Sequence, residues 1–108
     1  MTTSLYKDTG FNELRQRTIQ WASDRGIIEQ GTALGQSEKV LEEAQELVDA
    51  TIVKDKAEQI DAVGDVLVSL TNFCALEKID MAMAWDKALK VIEGRKGRMV
   101  DGKFVKEN

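Results

Sequence analysis

Five carboxylates in the middle of this 108-residue chain stand on patterns that otherwise read as apolar helices: Glu42, Glu43 and Glu46, then Asp61 and Asp65. At about 100° per residue, Glu43 lies at the edge of an apolar sector formed by Val40, Leu41, Ala44, Leu47, Val48 and Ile52. Glu46 and Glu42 step away from that edge. On the second pattern, Ile60, Val63, Val66, Leu67, Val68, Leu70, Phe73 and Cys74 cover most of the circumference and predict a largely buried helix. One polar stripe remains: Glu58, Asp61, Asp65, Ser69 and Asn72. Buried carboxylates without a partner are costly, and few basic residues lie nearby, so a divalent cation is the natural partner. Glu43 and Glu46 at i, i+3, and Asp61 and Asp65 at i, i+4, each place two oxygen donors on one helical face. Oxygen donors with no imidazole or thiolate favour magnesium, with manganese as a substitute, over zinc. The competing reading is a solvated acidic face, which suits Glu42, Glu43 and Glu46 taken alone. Asp65, set between Ala62-Val63-Gly64 and Val66-Leu67-Val68, argues against it.

The chain contains no histidine and one cysteine, which excludes serine–histidine and cysteine–histidine catalysis and imidazole metal sites. Cys74 reads as a small buried hydrophobe, and a lone cysteine builds no disulfide framework, so a reducing compartment is expected. No stretch has the apolar core of a signal peptide or the length of a membrane span, and a soluble, cytoplasmic protein is expected. Net charge is −4, against a general nucleic-acid binder, but the charge is unevenly placed. Residues 37–65 hold nine acids against three lysines, whereas 87–108 hold seven bases against three acids. An acidic centre with a basic tail suits a metal-bound polyanion.

These residues need helices to position them. Apolar spacing at Phe11, Leu14, Thr18, Trp21 and Ala22 predicts a first helix over about 9–25, after a loose lead-in, stopped by Gly26. Residues 26–36, with three glycines, read as a loop with Ile27 and Ile28 packed beneath it. Ser37 is the expected cap of a second helix to about 53, and Asp55-Lys-Ala-Glu58 a capping box opening a third to about 77. A link of two or three residues makes these two helices antiparallel neighbours, so their acidic stripes can face each other. Gly64 is expected to admit close approach of a helix or ligand. Asp80 caps a fourth helix to 93, ended by Gly94, with Met81, Ala84, Trp85, Ala88, Leu89 and Ile92 as its apolar stripe. Asp101-Gly102 between short apolar flanks signals a two-residue hairpin. The fold class is therefore all-α, a single domain over 1–108: an antiparallel bundle of four main helices with a short C-terminal hairpin or extended tail (94–108). So apolar a third helix in so short a chain calls for a homo-oligomer that completes the bundle.

Magnesium that keeps waters and binds phosphates, with bases arriving from the tail, points to phosphoanhydride hydrolysis as the reaction class. Lys39, one turn before Glu43, either reaches a phosphate or pairs with Glu43. Lys87, Lys90, Arg95, Lys96 and Arg98 are candidates to hold the β- and γ-phosphates, Lys90 and Arg95 first among them, against the alternative of a solvated basic tail.

Lys39-Val-Leu-Glu-Glu-Ala-Gln-Glu46-Leu, a short gap, then Asp61-Ala-Val-Gly-Asp65-Val-Leu resembles the MazG-type all-α nucleoside triphosphate pyrophosphohydrolases, in their small single-domain, phage-like subgroup. Arg25-Gly-Ile-Ile-Glu before the motif, and the segment from Arg95 to Glu107 after it, are similar to that subgroup as well. The resemblance implies a magnesium-dependent enzyme that cuts between the α- and β-phosphates, in a helical bundle that dimerises and sometimes pairs into tetramers. It implies Glu43, Glu46 and Asp65 as metal ligands, with Glu42 as a base or orienter for the attacking water and Glu43 beside it in the catalytic pair. The family's pattern is Glu-x-x-Glu followed by Glu-x-x-Asp, and its third acid falls here on Ala62. Asp61, which shares a face with Asp65, is the expected substitute, and Glu58 a weaker one. The departure bears on the number of metal ions.

Two rivals stand beside this reading. One is phosphoribosyl-ATP pyrophosphohydrolase, an enzyme on the same scaffold that is told apart by its substrate. The other is a helical dimer without activity, whose acidic face binds a protein or nucleotide.

Overall fold

The structure, a computed structural model, describes residues 10–107. The expected lead-in, and the Thr9 edge of the first helix, lie outside the described residues. The chain runs α1 (Phe11–Asp24), α2 (Ile27–Gln30), α3 (Ala33–Ile52), α4 (Lys56–Glu77), α5 (Met81–Ile92), β1 (Gly97–Val100) and β2 (Lys103–Lys106). It is all-α with one small hairpin. Among the described residues there are five helices where four main ones were expected, because residues 26–36 are not a loop.

Two local causes account for that correction. Gly26, at φ 82°, ends α1 in the left-handed conformation and lets α2 follow at once. Thr32, not Ser37, then opens the central helix: its Oγ1 accepts the Gly35 N–H at 3.0 Å. Ser37 lies inside α3, where its hydroxyl donates to the Leu34 carbonyl at 2.8 Å.

The α3–α4 hairpin is the frame of the molecule. Lys54 takes φ 59°, and the Asp55 N–H donates to the Ala50 carbonyl at 2.9 Å, closing α3. Asp55 then caps α4 by accepting the Glu58 N–H at 3.1 Å. Asp80 caps α5 in the same way, from the Met83 N–H at 3.0 Å. A bond from Gln59 Nε2 to Thr51 Oγ1 (3.1 Å) sets the level at which the two long helices face each other. At the far end of the chain, Asp101 and Gly102 have φ 49° and 79°, and Gly97 pairs with Lys106 through Val100 with Lys103. That is the two-residue hairpin expected from Asp-Gly.

Packing within one protomer is thin. Among the described residues, the buried apolar side chains are three alanines, Ala22, Ala50 and Ala62. The radius of gyration is 16.3 Å, where a compact domain of this size has about 13 Å. The expectation that α4 is largely buried is corrected: Ile60 is 65% exposed, and Val63 and Leu67 are about half exposed. The outer edge of the α3 sector is bare too, with Leu41 and Ile52 each 72% exposed. Gly64 meets nothing within 4 Å of where a Cβ would sit, so no close approach occurs there within one copy. Cys74 is half-buried and free, and burial pushes its thiol pKa up. The α5 helix is tied on by an edge-to-face contact of Trp85 with Phe11, centroids 6.0 Å apart, and by Thr71 against Met81.

Candidate active site

The hairpin register decides which acids meet. Glu42, Glu43 and Glu46 lie on one turn of α3, and one oxygen from each falls within 4.8 Å of the others. Glu43 is buried at 6% exposure, while Glu42 and Glu46 stand at the surface beside it. Across from them, Asp65 of α4 lines a cleft of about 260 Å³ together with Glu43, Lys39, Gln36, Ser69, Asn72 and Val68. Trp21 of α1 and Ile27 of α2 complete its walls. Asp61 does not line this cleft; it sits one turn nearer the hairpin loop and is exposed. Ala62, at the position of the missing family acid, is buried.

Electrostatics in the cleft are crowded. Lys39 Nζ reaches Glu42 Oε2 at 3.3 Å and Glu43 Oε1 at 3.5 Å, and these partners raise its pKa. Glu43 Oε2 is buried without any hydrogen-bond partner. The carboxyl of Glu46 is pushed above its ordinary range, first by sharing a proton with Glu43, then by the charges of Glu43, Glu42 and Asp65 and by some desolvation. One lysine therefore faces four acids. An orphaned buried oxygen among hard carboxylate donors fits magnesium: Glu43, Glu46 and Asp65 could hold it, Glu42 standing beside them.

The raised Glu46 pKa has a stability sign. A folded-state pKa above the unfolded one means that the folded state binds the extra proton. The resulting stability is present below about pH 4.5 and is lost as pH rises through the folded value. Metal-free protein at neutral pH thus carries the full repulsion. Glu46→Gln is expected to raise the urea midpoint in EDTA at pH 7, with the gain shrinking toward pH 4.5. Urea titrations of both proteins at the two pH values check this.

The remaining basic candidates are placed elsewhere. Lys87, Lys90, Arg95, Lys96 and Arg98 lie on α5, after it, or on β1, and none lines the cleft of its own protomer. Lys90 pairs with Asp86 at 2.8 Å on the α5 surface. Sequence reasoning singled out neither Gln36 nor Asn72 as a site residue, and both line the cleft. Gln36 fell in the supposed loop, and Asn72 was only one member of the polar stripe.

Comparison with known families decides the class. Residues 11–90 match the family described as phosphoribosyl-ATP pyrophosphohydrolase. The chain belongs to that family. The matched span takes in α1 to α4 and most of α5, and so every residue of the acidic cleft. The phosphoribosyl-ATP pyrophosphohydrolase family is an all-α enzyme family, so the chain carries a pyrophosphohydrolase domain, coarsely consistent with the MazG-type scaffold. No curated protein and no solved structure gives a significant match. Among the described residues no helix is long and apolar enough to cross a membrane.

Proposed function

We propose that the protein is a magnesium-dependent nucleoside triphosphate pyrophosphohydrolase of MazG type, cutting between the α- and β-phosphates to release a monophosphate and pyrophosphate. The observation that carries this reading is the convergence of Glu42, Glu43 and Glu46 within 4.8 Å, with an orphaned oxygen on Glu43, which lines one cleft together with Asp65. Glu43, Glu46 and Asp65 hold the metal. Magnesium bound there supplies charge neutralisation at the phosphate oxygens. Glu42, with Glu43 next to it, orients the attacking water and accepts its proton. Lys39 pairs with Glu42 and Glu43 and lies within reach of a phosphate. We assign no ligand to Asp61.

The bare apolar faces support a homodimer, or a tetramer built from two, in which α3 and α4 of two copies cover each other. In that assembly a second copy's basic segment, Lys87 to Arg98, is the proposed source of further cations for the β- and γ-phosphates. The partners are a nucleotide and a second copy, with no nucleic-acid duplex and no membrane. The family match favours phosphoribosyl-ATP itself as a second reading of the substrate.

The test is pyrophosphate release from ribo- and deoxynucleoside triphosphates and from phosphoribosyl-ATP, with Asp65→Asn and Asp61→Asn beside the wild type. The proposal expects turnover of at least one standard triphosphate, lost in Asp65→Asn and largely kept in Asp61→Asn. Release from phosphoribosyl-ATP alone would establish the second reading, and release from nothing would leave a binding module.

A further inference from the structure

The carboxamide of Asn72 is a buried polar group that the hydrolytic chemistry does not use. The residue is 2% exposed, its Oδ1 has no hydrogen-bond partner, and it lines the same cleft as Glu43 and Asp65. A buried acceptor left open is costly, and its persistence in a cleft marks a place where a ligand donates. Its position along the helix says which part of a ligand. Asn72 lies seven residues beyond Asp65 on α4, two turns or about 10.5 Å along the axis and on the same face. On α3, Gln36 lies seven residues before Glu43 and also lines the cleft. The two helices are antiparallel, so the two offsets run in the same direction. Both carboxamides stand at one end, and the facing carboxylates stand two turns away.

That end differs in chemistry from the other. The walls of the cleft as a whole include Trp21 and Ile27, an aromatic and an aliphatic surface. Arg25 lies over the Trp21 ring, 5.8 Å from its centroid. A cleft with an aromatic wall and two neutral amides set apart from its acids suits a planar heterocycle that carries N–H donors.

We infer that Asn72 and Gln36 form a nucleobase-reading subsite, in which Asn72 Oδ1 accepts an N–H from the base edge. Asn72 and Gln36 are specificity-determining residues; the acids two turns away act on the phosphates. The inference rests on the nucleotide hydrolase reading proposed above, and goes beyond it by placing the base and naming what selects it. A base without an N–H leaves Oδ1 buried and open, and is rejected for that reason.

The experiment takes the best standard triphosphate from the nucleotide panel. It compares that substrate with the matching nucleotide whose base lacks any N–H, the unsubstituted purine or the 2-pyrimidinone. kcat/KM is measured for wild type, Asn72→Leu and Gln36→Met, and dissociation constants are measured for the α,β-methylene forms of both nucleotides. The inference expects wild type to prefer the N–H-bearing base by about tenfold or more in both measurements. Asn72→Leu should bring the two nucleotides to within about twofold, and Gln36→Met should reduce the preference, each keeping the magnesium-induced rise in Tm. Gln36→Met carries the test if Asn72→Leu fails to fold. Equal use of the two nucleotides by wild type, or a preference untouched in the folded variants, overturns the subsite and leaves the hydrolase standing. Absence of wild-type turnover with every nucleotide overturns the hydrolase reading instead, and the methylene analogues then decide the subsite alone.

Discussion

Glu43→Gln is expected to lower magnesium-dependent pyrophosphate release by about two to four orders of magnitude while leaving the helices intact. Glu43 is the buried acid of the group, with one oxygen paired to Lys39 at 3.5 Å and the other without a partner. Glutamine has the same shape, so packing against α4 is kept, but the negative charge that holds a cation is gone. Lys39 retains Glu42 at 3.3 Å and does not become an isolated charge. Steady-state kinetics with far-ultraviolet circular dichroism check the two halves of the expectation. A variant that unfolds is uninformative about catalysis, so the loss has to be read on folded protein. A folded variant with wild-type turnover would remove Glu43 from the site.

The second large effect concerns assembly. Leu41→Glu combined with Ile52→Glu is expected to convert a dimer into monomers. Both side chains are 72% exposed in one copy, on the edge of α3 that α4 leaves uncovered. Full burial of such a side chain is worth about 1.5–3 kcal/mol, and symmetry counts each position twice. Charge at both positions should therefore weaken the dimer on the order of 10³-fold or more. Light scattering after size exclusion at micromolar concentration reads the outcome. Wild type running as a stable monomer, or the variant remaining dimeric, would show that this face is not the interface.

How far the sequence could be read follows from where each structure gets its cause. The caps Asp55 and Asp80, the Gly26 stop and the Asp101-Gly102 turn are local devices, and local devices are visible in a sequence. Residues 26–36 misled because their glycines signal a loop, whereas Gly35 sits in the first turn of α3 and gives its N–H to Thr32. The burial of α4 misled for a different reason. Its apolar residues do ring the helix, but one copy supplies neighbours for only part of that ring, leaving Ile60, Val63 and Leu67 bare. Periodicity reports what a helix requires and not how many chains supply it.

In the site, Glu43 and Glu46 follow from their spacing on one helix, and the structure brings them together with Glu42. The choice between Asp61 and Asp65 depends on the register of two helices. That register rests on the turn at Lys54 and the bond from Gln59 to Thr51, which no helical-wheel argument contains. Asn72 and Gln36 had a signal that went unused: equal seven-residue offsets from the facing acids on two antiparallel helices. The match over residues 11–90 agrees with the pyrophosphohydrolase class that the resemblance implied, and names the enzyme held as the first rival.

The most direct test of the central claim follows the phosphorus atoms of one nucleoside triphosphate by ³¹P nuclear magnetic resonance, with magnesium and then with EDTA. The account predicts a monophosphate and pyrophosphate in the presence of magnesium and intact triphosphate in its absence. A diphosphate with orthophosphate, or hydrolysis unaffected by EDTA, would contradict it.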